Sequence, residues 1–304
     1  MTRSFHLVVN PHAGGGRGAR VAADVAAALE AHGCRVRSTI SPGTEAADDL
    51  VARTAADEVC VAVGGDGMVS SIAGPAARRG VTLGIAAAGR GNDFVRQLQI
   101  PKAPDELART LVHGEVRAVD AISVGDAVVV GSVYAGVDSR ASELVNRMHR
   151  VPATLQYPIG AVRAMATFPV TAYRVTVDGV EHTFDGFTVV AANSGYYGKG
   201  MHIAPDADPR DGLLDVVLLG AGSKLKFLRR LPQVYRGTHT ENDEIVVLRG
   251  AEVRIEADGV QAYGDGEPLA PLPVTATVLP GALRVISPGP LPAPDPGVEQ
   301  GAPR

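Results

Sequence analysis

Tryptophan is absent from this sequence of 304 residues, cysteine occurs twice, and aromatic residues make up only 4%. Cys34 and Cys60 stand in apolar segments without the spacing of metal ligands, so we expect buried thiols in a reducing compartment. No run reaches the roughly 20 apolar residues that a membrane-spanning helix needs, and the first residues lack a signal-peptide pattern. The net charge of −4 gives no support to a nucleic-acid partner. These absences indicate a cytoplasmic protein whose contact with a membrane is peripheral.

Residues 1–120 alternate between strand-like and helix-like segments. The strand-like runs are 5–9, 36–40, 59–63 and 81–86, and the helix-like runs are 17–31, 45–56 and 69–79. Such an order predicts an α/β domain with a Rossmann-like parallel sheet that is covered by helices on both faces.

Beyond residue 120 the pattern changes to short strand-like runs, among them 128–134 and 274–278, and Asp-Gly turns separate several of them. Residues 121–287 are therefore predicted to form an antiparallel β-sandwich domain, interrupted by helical stretches at about 139–166 and 224–235. Residues 288–304 are rich in proline and glycine, which predicts a disordered tail.

Three glycine-bearing loops follow strands of the predicted parallel sheet, at 10–18, 64–67 and 86–94. Glycine loops before helices present backbone N–H groups that bind phosphate. Taken alone, the second loop is equally well a turn in which Asp66 caps a helix. Because the carboxyl ends of parallel strands share one edge, three such loops favour a ligand site there. Asp66 and Asp93 beside a polyphosphate would imply Mg²⁺.

Several longer motifs make this pattern specific, namely "NPHAGGG", "VAVGGDG", "LGIAAAGRGNDFVRQLQIP", "GKGMHIAPDADPRDGLLDVV" and "YGDGEPL". Together they resemble the diacylglycerol kinase catalytic-domain family, whose relatives include sphingosine and ceramide kinases and, more distantly, NAD kinases. The resemblance extends over about residues 5–286. It implies an N-terminal nucleotide-binding domain and a C-terminal lipid-substrate domain. It also implies transfer of the ATP γ-phosphate to a lipid hydroxyl, and diacylglycerol is the acceptor that the resemblance favours.

The resemblance also implies roles for individual residues. Those matching nucleotide contacts are Asn10, Pro11, His12, Ala13, Gly14, Ser41, Gly64, Gly65, Asp66, Gly67, Met68, Ser70, Arg90, Asn92 and Asp93. Four positions depart from the family pattern. Met68, Ser70 and Ser71 replace Thr, Asn and Glu, and Arg90 replaces Thr.

Acidic residues match the family's metal and base positions. Asp66, Asp93 and Asp120 correspond to acids that hold catalytic Mg²⁺, partly through water, and Asp66 thereby has a catalytic role. Asp208, Asp211 and the carbonyl of Leu213 correspond to a structural Mg²⁺ site. In "DGE", Glu267 resembles a general base; from the residues alone, Asp265-Gly266 reads as a hairpin turn followed by a solvated glutamate.

The basic amphipathic stretch at 224–231 suits either an anionic membrane surface or a helix whose apolar face packs on the sheet. Residues 146–168 are expected to border the entry of the lipid. The partner implied is a lipid substrate at a membrane surface, and a homodimer stays open. Three alternatives to diacylglycerol kinase activity also remain: a sphingosine- or ceramide-type lipid kinase, an NAD kinase, and a non-catalytic protein that binds nucleotide or lipid.

Overall fold

A computed structural model describes residues 3–41, 46–148, 151 and 153–289. Most of the predicted tail and the first residue of the predicted helix at 45–56 lie outside these ranges. Within them, no helix is both long and apolar enough to cross a membrane.

The N-terminal part contains a parallel four-stranded sheet in the order β2-β1-β3-β4. Its strands are β1 (Ser4–Val9), β2 (Arg35–Ile40), β3 (Glu58–Gly64) and β4 (Thr82–Ala87). Its helical segments are α1 (Ala13–Gly16), α2 (Gly18–Ala31), α3 (Ala47–Ala52), α4 (Asp66–Arg79), α5 (Asp93–Gln97) and α6 (Pro104–His113). All six residues of β1 are buried, which is typical of a central strand covered on both faces. The predicted α/β fold is confirmed.

The C-terminal part consists mainly of antiparallel strands, as predicted. Its strands are β5 (Glu115–Val124), β6 (Ala127–Val129), β7 (Ser132–Gly136), β8 (Thr171–Val177), β9 (Val180–Ala192), β10 (Tyr196–Tyr197), β11 (Met201–His202), β12 (Leu214–Gly220), β13 (Ile245–Gly250), β14 (Glu252–Glu256), β15 (Gln261–Gly264), β16 (Glu267–Pro271) and β17 (Val274–Ser287). Its helices are α7 (Val137–Asn146), α8 (Ala153–Thr167) and α9 (Lys224–Arg236), and a 3₁₀ turn follows at Thr238–Glu241. Alternate residues of these strands, such as Val175, Val189 and Val216, fill the core.

The strand β17 connects the two parts. Its first residues pair antiparallel with β14, and its last pair parallel with β4, with Arg284 opposite Thr82. Along most of its length it also pairs antiparallel with β5. The predicted strand at 274–278 is therefore the start of a much longer one, and β5 is a strand that the sequence pattern did not predict. The predicted domain boundary at residue 120 falls inside β5.

A predicted strand at 128–134 is interrupted in the structure. β6 ends at Val129 and β7 begins at Ser132, so Val130 and Gly131 lie outside both strands. The reason is a contact with a residue far along the chain: the backbone amides of Val130 and Gly131 donate to the carboxylate of Asp265 instead of to a neighbouring strand. This break lies at the cleft between the two parts.

Candidate active site

Three loops meet at the carboxyl edge of the parallel sheet. Three consecutive glycines after β1, Gly14 to Gly16, have φ values of +61°, +78° and +96°. A Cβ at Gly14 would stand 2.1 Å from the carbonyl oxygen of Ala88, so the first and third loops touch through backbone. The third loop also donates to the second, because the amide of Ala88 lies 2.7 Å from the carbonyl oxygen of Gly64. The predicted convergence of the loops is thus present.

The other residues matched to nucleotide contacts surround these loops. Asn10 accepts a hydrogen bond from the amide of His12, which shapes the turn around Pro11 and Ala13 at the end of β1. Ser41 stands just after β2, next to the same strand, with its amide 2.7 Å from the carbonyl oxygen of Val9. Gly64 ends β3, Gly65 precedes α4, and Gly67 lies in its first turn.

Met68 is placed differently from a loop residue. Its side chain is only 8% exposed and packs in the N-terminal core. A Cβ at Gly64 would stand 2.5 Å from Met68 Cβ, so the methionine packs directly against the second glycine loop. Met68 therefore contributes packing at this position.

Asp66 and Asp93 form the acidic centre of the cleft. Asp66 accepts hydrogen bonds from the backbone amides of Asn92 (2.7 Å) and Asp93 (2.6 Å), so it caps α5 and not α4, which it begins. Asp93 accepts from Arg96 Nη1 (3.0 Å) and from the amide of Lys199 (2.8 Å). Burial and the charge of Asp66 raise the pKa of Asp93 to about 6. A divalent cation would offset this repulsion, and two carboxylates suit Mg²⁺, so the pair fits that ion in its chemistry.

Cationic side chains line the rim of the same cleft. Arg17 donates to the carbonyl oxygens of Gly14 (3.2 Å) and Gly89 (3.3 Å) and so spans two of the loops. A Cβ at Gly15 would stand 3.3 Å from Arg90 Nη2, which places that guanidinium over the first loop. From the C-terminal part, Lys199 approaches Asp66, Asp93 and Arg90. Glycine loops rimmed by such cations suit a polyphosphate.

The turn that carries Glu267 is fixed by Asp265. The carboxylate of Asp265 accepts from the amides of Val130 (2.9 Å), Gly131 (3.0 Å) and Ser132 (3.0 Å), and from the hydroxyl of Ser70 (2.9 Å). Ser70 lies on α4, so this contact joins the two parts of the chain. Asp265 and Gly266 line the cleft, and Glu267 is exposed next to them at the start of β16.

Asp120 is held behind the cleft wall. Its carboxylate accepts from the amides of Gly281 (2.7 Å) and Gly212 (2.8 Å). Asn193 Nδ2 donates to the carbonyl oxygens of both Asp120 and Val130, each at 2.9 Å, which ties Asp120 to the wall. Both carboxylate oxygens of Asp120 accept from backbone amides, as those of Asp66 do, and its role as a Mg²⁺ ligand stays a prediction.

The acidic loop before β12 is balanced by arginines. Both oxygens of Asp208 accept from Arg210, at 2.7 and 2.6 Å. Asp211 pairs with Arg249 and accepts from the amide of Leu213. Across the part of the chain that the structure describes, no three His, Cys, Asp or Glu side chains are arranged to hold a metal ion. The structural Mg²⁺ site at Asp208, Asp211 and Leu213 stays a prediction.

A second cavity, lined mainly by apolar side chains, lies beside the acidic cleft. Each of the two has a volume of about 110 Å³. Helices α7, α8 and α9 and strands β9 and β12 contribute its walls, with Ala161, Phe227 and Val217 among the lining residues. Tyr197 lines both cavities, so the two adjoin one another. Asp138 lines the apolar one; it bonds to Thr188 and Tyr197, and burial raises the pKa of its carboxyl.

The contacts of helix α9 favour the interpretation in which its apolar face packs against the protein over the one in which it lies on an anionic membrane. Phe227, Leu228 and Leu231 face the apolar cavity, so the apolar side of the helix packs inward. Lys226 and Arg230 pair with Glu244, with Arg230 at 2.9 Å. The basic residues of α9 are thus partly neutralised by the protein itself.

Comparison with known proteins identifies the family. The profile described as diacylglycerol kinase catalytic domain matches residues 4–124. The profile described as YegS C-terminal NAD kinase beta sandwich-like domain matches residues 131–287. A diacylglycerol kinase of Mycobacterium tuberculosis (strain H37Rv) is 31% identical over 290 residues, which cover 92% of this chain and 94% of the relative. The chain belongs to the diacylglycerol kinase catalytic-domain family.

Other members agree with this assignment. A diacylglycerol kinase of Bacillus subtilis (strain 168) is 26% identical over 223 residues, which cover 69% of this kinase and 71% of the relative. A crystal structure of a diacylglycerol kinase from Bacillus anthracis str. Sterne superposes with a TM-score of 0.72 at 20% identity, covering 94% of this kinase and 97% of that chain. At that identity the superposition shows the shared fold. The family resemblance and the phosphotransferase class predicted from the motifs are confirmed.

Three residues that line the two cavities of this kinase were not identified from the sequence. Lys199 lies within a quoted motif but has a left-handed backbone, φ +68°, which only the structure reveals. Asp265 stands in the "DGE" motif, but there the resemblance assigns a role only to Glu267, and Asp265 reads as part of a hairpin turn. Asp138 carries no local signal, because its partners Thr188 and Tyr197 are distant along the chain.

Proposed function

We propose that this kinase transfers the γ-phosphate of ATP to the free hydroxyl of diacylglycerol, giving phosphatidic acid. One observation carries the proposal: the apolar cavity and the acidic, glycine-walled cleft share Tyr197 as a common wall. An acceptor with an aliphatic body and a polar head would fill both at once. A water-soluble acceptor such as NAD would have no use for the apolar cavity.

Phosphoryl transfer requires positioned phosphates, charge neutralisation and a base for the attacking hydroxyl. The amides of the three loops would hold the ATP phosphates, with Arg17 and Arg90 at the rim. Asp66 and Asp93 would hold Mg²⁺, which neutralises phosphate charge when it is bound. Asp120 would keep the wall behind them in place.

Glu267 is the base in this proposal, because it follows the turn of Asp265 and Gly266 that lines the cleft. The Asp265 carboxylate is occupied by three amides and a hydroxyl, so it suits a positioning role. Glu267 is exposed at the turn and has room to accept the proton of a docked hydroxyl.

The lipid would arrive from a membrane surface next to α8. Three large apolar residues on this helix are exposed, namely Leu155 (51%), Ile159 (43%) and Val162 (45%). Leu225 of the adjacent α9 is 56% exposed. Since Ala161 and Met165 of α8 line the apolar cavity, the same helix would contact both the membrane and the lipid chain.

The test offers labelled ATP with Mg²⁺ to mixed micelles of diacylglycerol, sphingosine or ceramide, and separately to NAD. We expect label in phosphatidic acid. Label in sphingosine or ceramide phosphate would support the sphingosine- or ceramide-type alternative, and label in NADP would point to the NAD kinase alternative. A variant with Asp66→Ala should lose Mg²⁺-dependent transfer, and unchanged transfer would contradict the assignment of the cleft.

A further inference from the structure

The turn between β10 and β11 holds Lys199 at a fixed place in the cleft. Gly198, Lys199 and Gly200 all have positive φ, a backbone conformation that is unfavourable for any residue other than glycine. The amide of Lys199 donates to Asp93 Oδ2 at 2.8 Å. The chain therefore accepts an unfavourable backbone in order to place a lysine, where glycine would fit more easily.

The flanks of this turn are fastened to α5. The ring of Tyr196, just before the turn, stacks on His202 with 4.2 Å between ring centroids. The guanidinium of Arg96 lies 5.4 Å from the centre of the Tyr196 ring. A Cβ at Gly200 would stand 2.7 Å from Arg96 Nη1, so the backbone of the turn lies against the α5 arginine. The position of Lys199 is thus set by the C-terminal part and by α5 together.

The side chain of Lys199 extends toward the loop that carries Arg90. A Cβ at Gly91 would stand 3.3 Å from Lys199 Cγ and 2.5 Å from Asp66 Oδ2, so lysine and aspartate converge on one glycine. Burial and then the charge of Arg90 lower the pKa of the Lys199 ammonium, and the charges of Asp66 and Asp93 oppose this only in part. Two cations from opposite sides of the cleft, Arg90 and Lys199, therefore flank the acidic pair.

We propose that Lys199 binds the terminal phosphate of the nucleoside triphosphate, as the contribution of the C-terminal part to that group. This inference rests on the proposed function. The glycine loops would take the inner phosphates, and the terminal phosphate would then lie nearest the acidic pair and Lys199. Charge develops on the oxygens of a phosphoryl group in transfer, so a cation held there favours the reaction.

The experiment measures nucleotide binding without lipid or turnover. Calorimetry gives dissociation constants for a non-hydrolysable ATP analogue and for ADP, both with Mg²⁺, on the full chain. For Lys199→Met we expect a loss of about tenfold to a hundredfold for the ATP analogue, the range of a charge-assisted hydrogen bond, and less than about twofold for ADP. Lys199→Arg, which keeps the charge, should stay within about threefold of the wild type. Lys102→Met, on an exposed lysine before α6, is the matched control and should change neither constant.

The outcomes separate this inference from the proposed function. If Lys199→Met weakens ATP analogue and ADP equally, or neither of them, the assignment of Lys199 is wrong while the ATP site stands. If the wild type binds neither nucleotide, both the inference and the proposed function are overturned. Should Lys199→Met fail to fold, Lys199→Gln is measured in its place against the same criteria.

Discussion

Replacement of Asp265 by asparagine removes one acceptor from a group of four donors. Oδ1 accepts from the amides of Gly131 and Ser132, and Oδ2 accepts from the amide of Val130 and the hydroxyl of Ser70. In the orientation of asparagine that loses fewer hydrogen bonds, the side-chain carbonyl oxygen still accepts from the amides of Gly131 and Ser132. The Ser70 hydroxyl turns to accept, and the Val130 amide then faces an NH₂ group.

The cost follows from that count. An enclosed donor without an acceptor costs about 1–3 kcal/mol, and the bonds that remain lose the strength that the carboxylate charge gave them. We therefore expect Asp265→Asn to lower the free energy of unfolding by about 2–4 kcal/mol. Urea unfolding followed by circular dichroism, with linear extrapolation, measures this difference.

Asp178 provides a matched control. It also has a left-handed backbone, φ +46° against +49° for Asp265, and it also accepts from consecutive amides, those of Ala251 and Glu252. Asp178 is exposed, so water can replace the lost acceptor, and Asp178→Asn should cost less than about 1 kcal/mol. Equal losses for the two variants would refute the reasoning that enclosure of the carboxylate matters.

Three further predictions concern the base, the apolar cavity and pH. Glu267→Gln should keep the unfolding midpoint and nucleotide affinity while turnover falls about 10²–10⁴-fold, and near-normal turnover would remove Glu267 as the base. Ala161→Phe places a ring in the apolar cavity, so the KM for dispersed diacylglycerol should rise at unchanged nucleotide affinity; an unchanged KM would move the lipid site elsewhere. Burial and the charge of Arg37 lower the pKa of His6 from 6.5 to about 4. Between these two pH values only the unfolded chain binds a proton at His6, so the free energy of unfolding decreases as the pH falls through this range. From pH 7.5 to 5 the wild type should therefore lose about 2 kcal/mol more than His6→Gln, and parallel urea curves for the two would contradict this.

Local patterns predicted much of the N-terminal part. Strands such as β1 and β3 are short, apolar and followed by glycines, and parallel topology alone then brings their loops to one edge. The antiparallel character of the second part followed in the same way from Asp-Gly turns. The strands and turns of both parts could be predicted because hydrophobic periodicity and turn residues are visible within a short window of sequence.

Features set by distant pairing were missed. Six of the ten residues of β5 are not fully buried, so its pattern is weak, and its longer partner, β17, lies about 150 residues further along the chain. The break at Val130 and Gly131 arises from Asp265, which is equally remote. No window along the sequence contains both partners of such contacts.

The predicted metal ligands show the same limit. Asp66 and Asp93 do meet in the cleft. Asp120 is instead held by the amides of Gly212 and Gly281, which a motif match cannot show. The sequence identified acids of the right type, and only the folded chain shows which of them lie next to one another in the cleft.

The pairing of β17 also governs the order in which the molecule can be completed during synthesis. The edge of β4 stays open until residues near 284 have been made and have reached it. An open strand edge binds other chains readily, so the nascent N-terminal part spends most of its synthesis vulnerable to aggregation. For the same reason, the N-terminal part should not be separable as an independent fragment, because a strand that pairs with its sheet is supplied from the far end of the β-rich part.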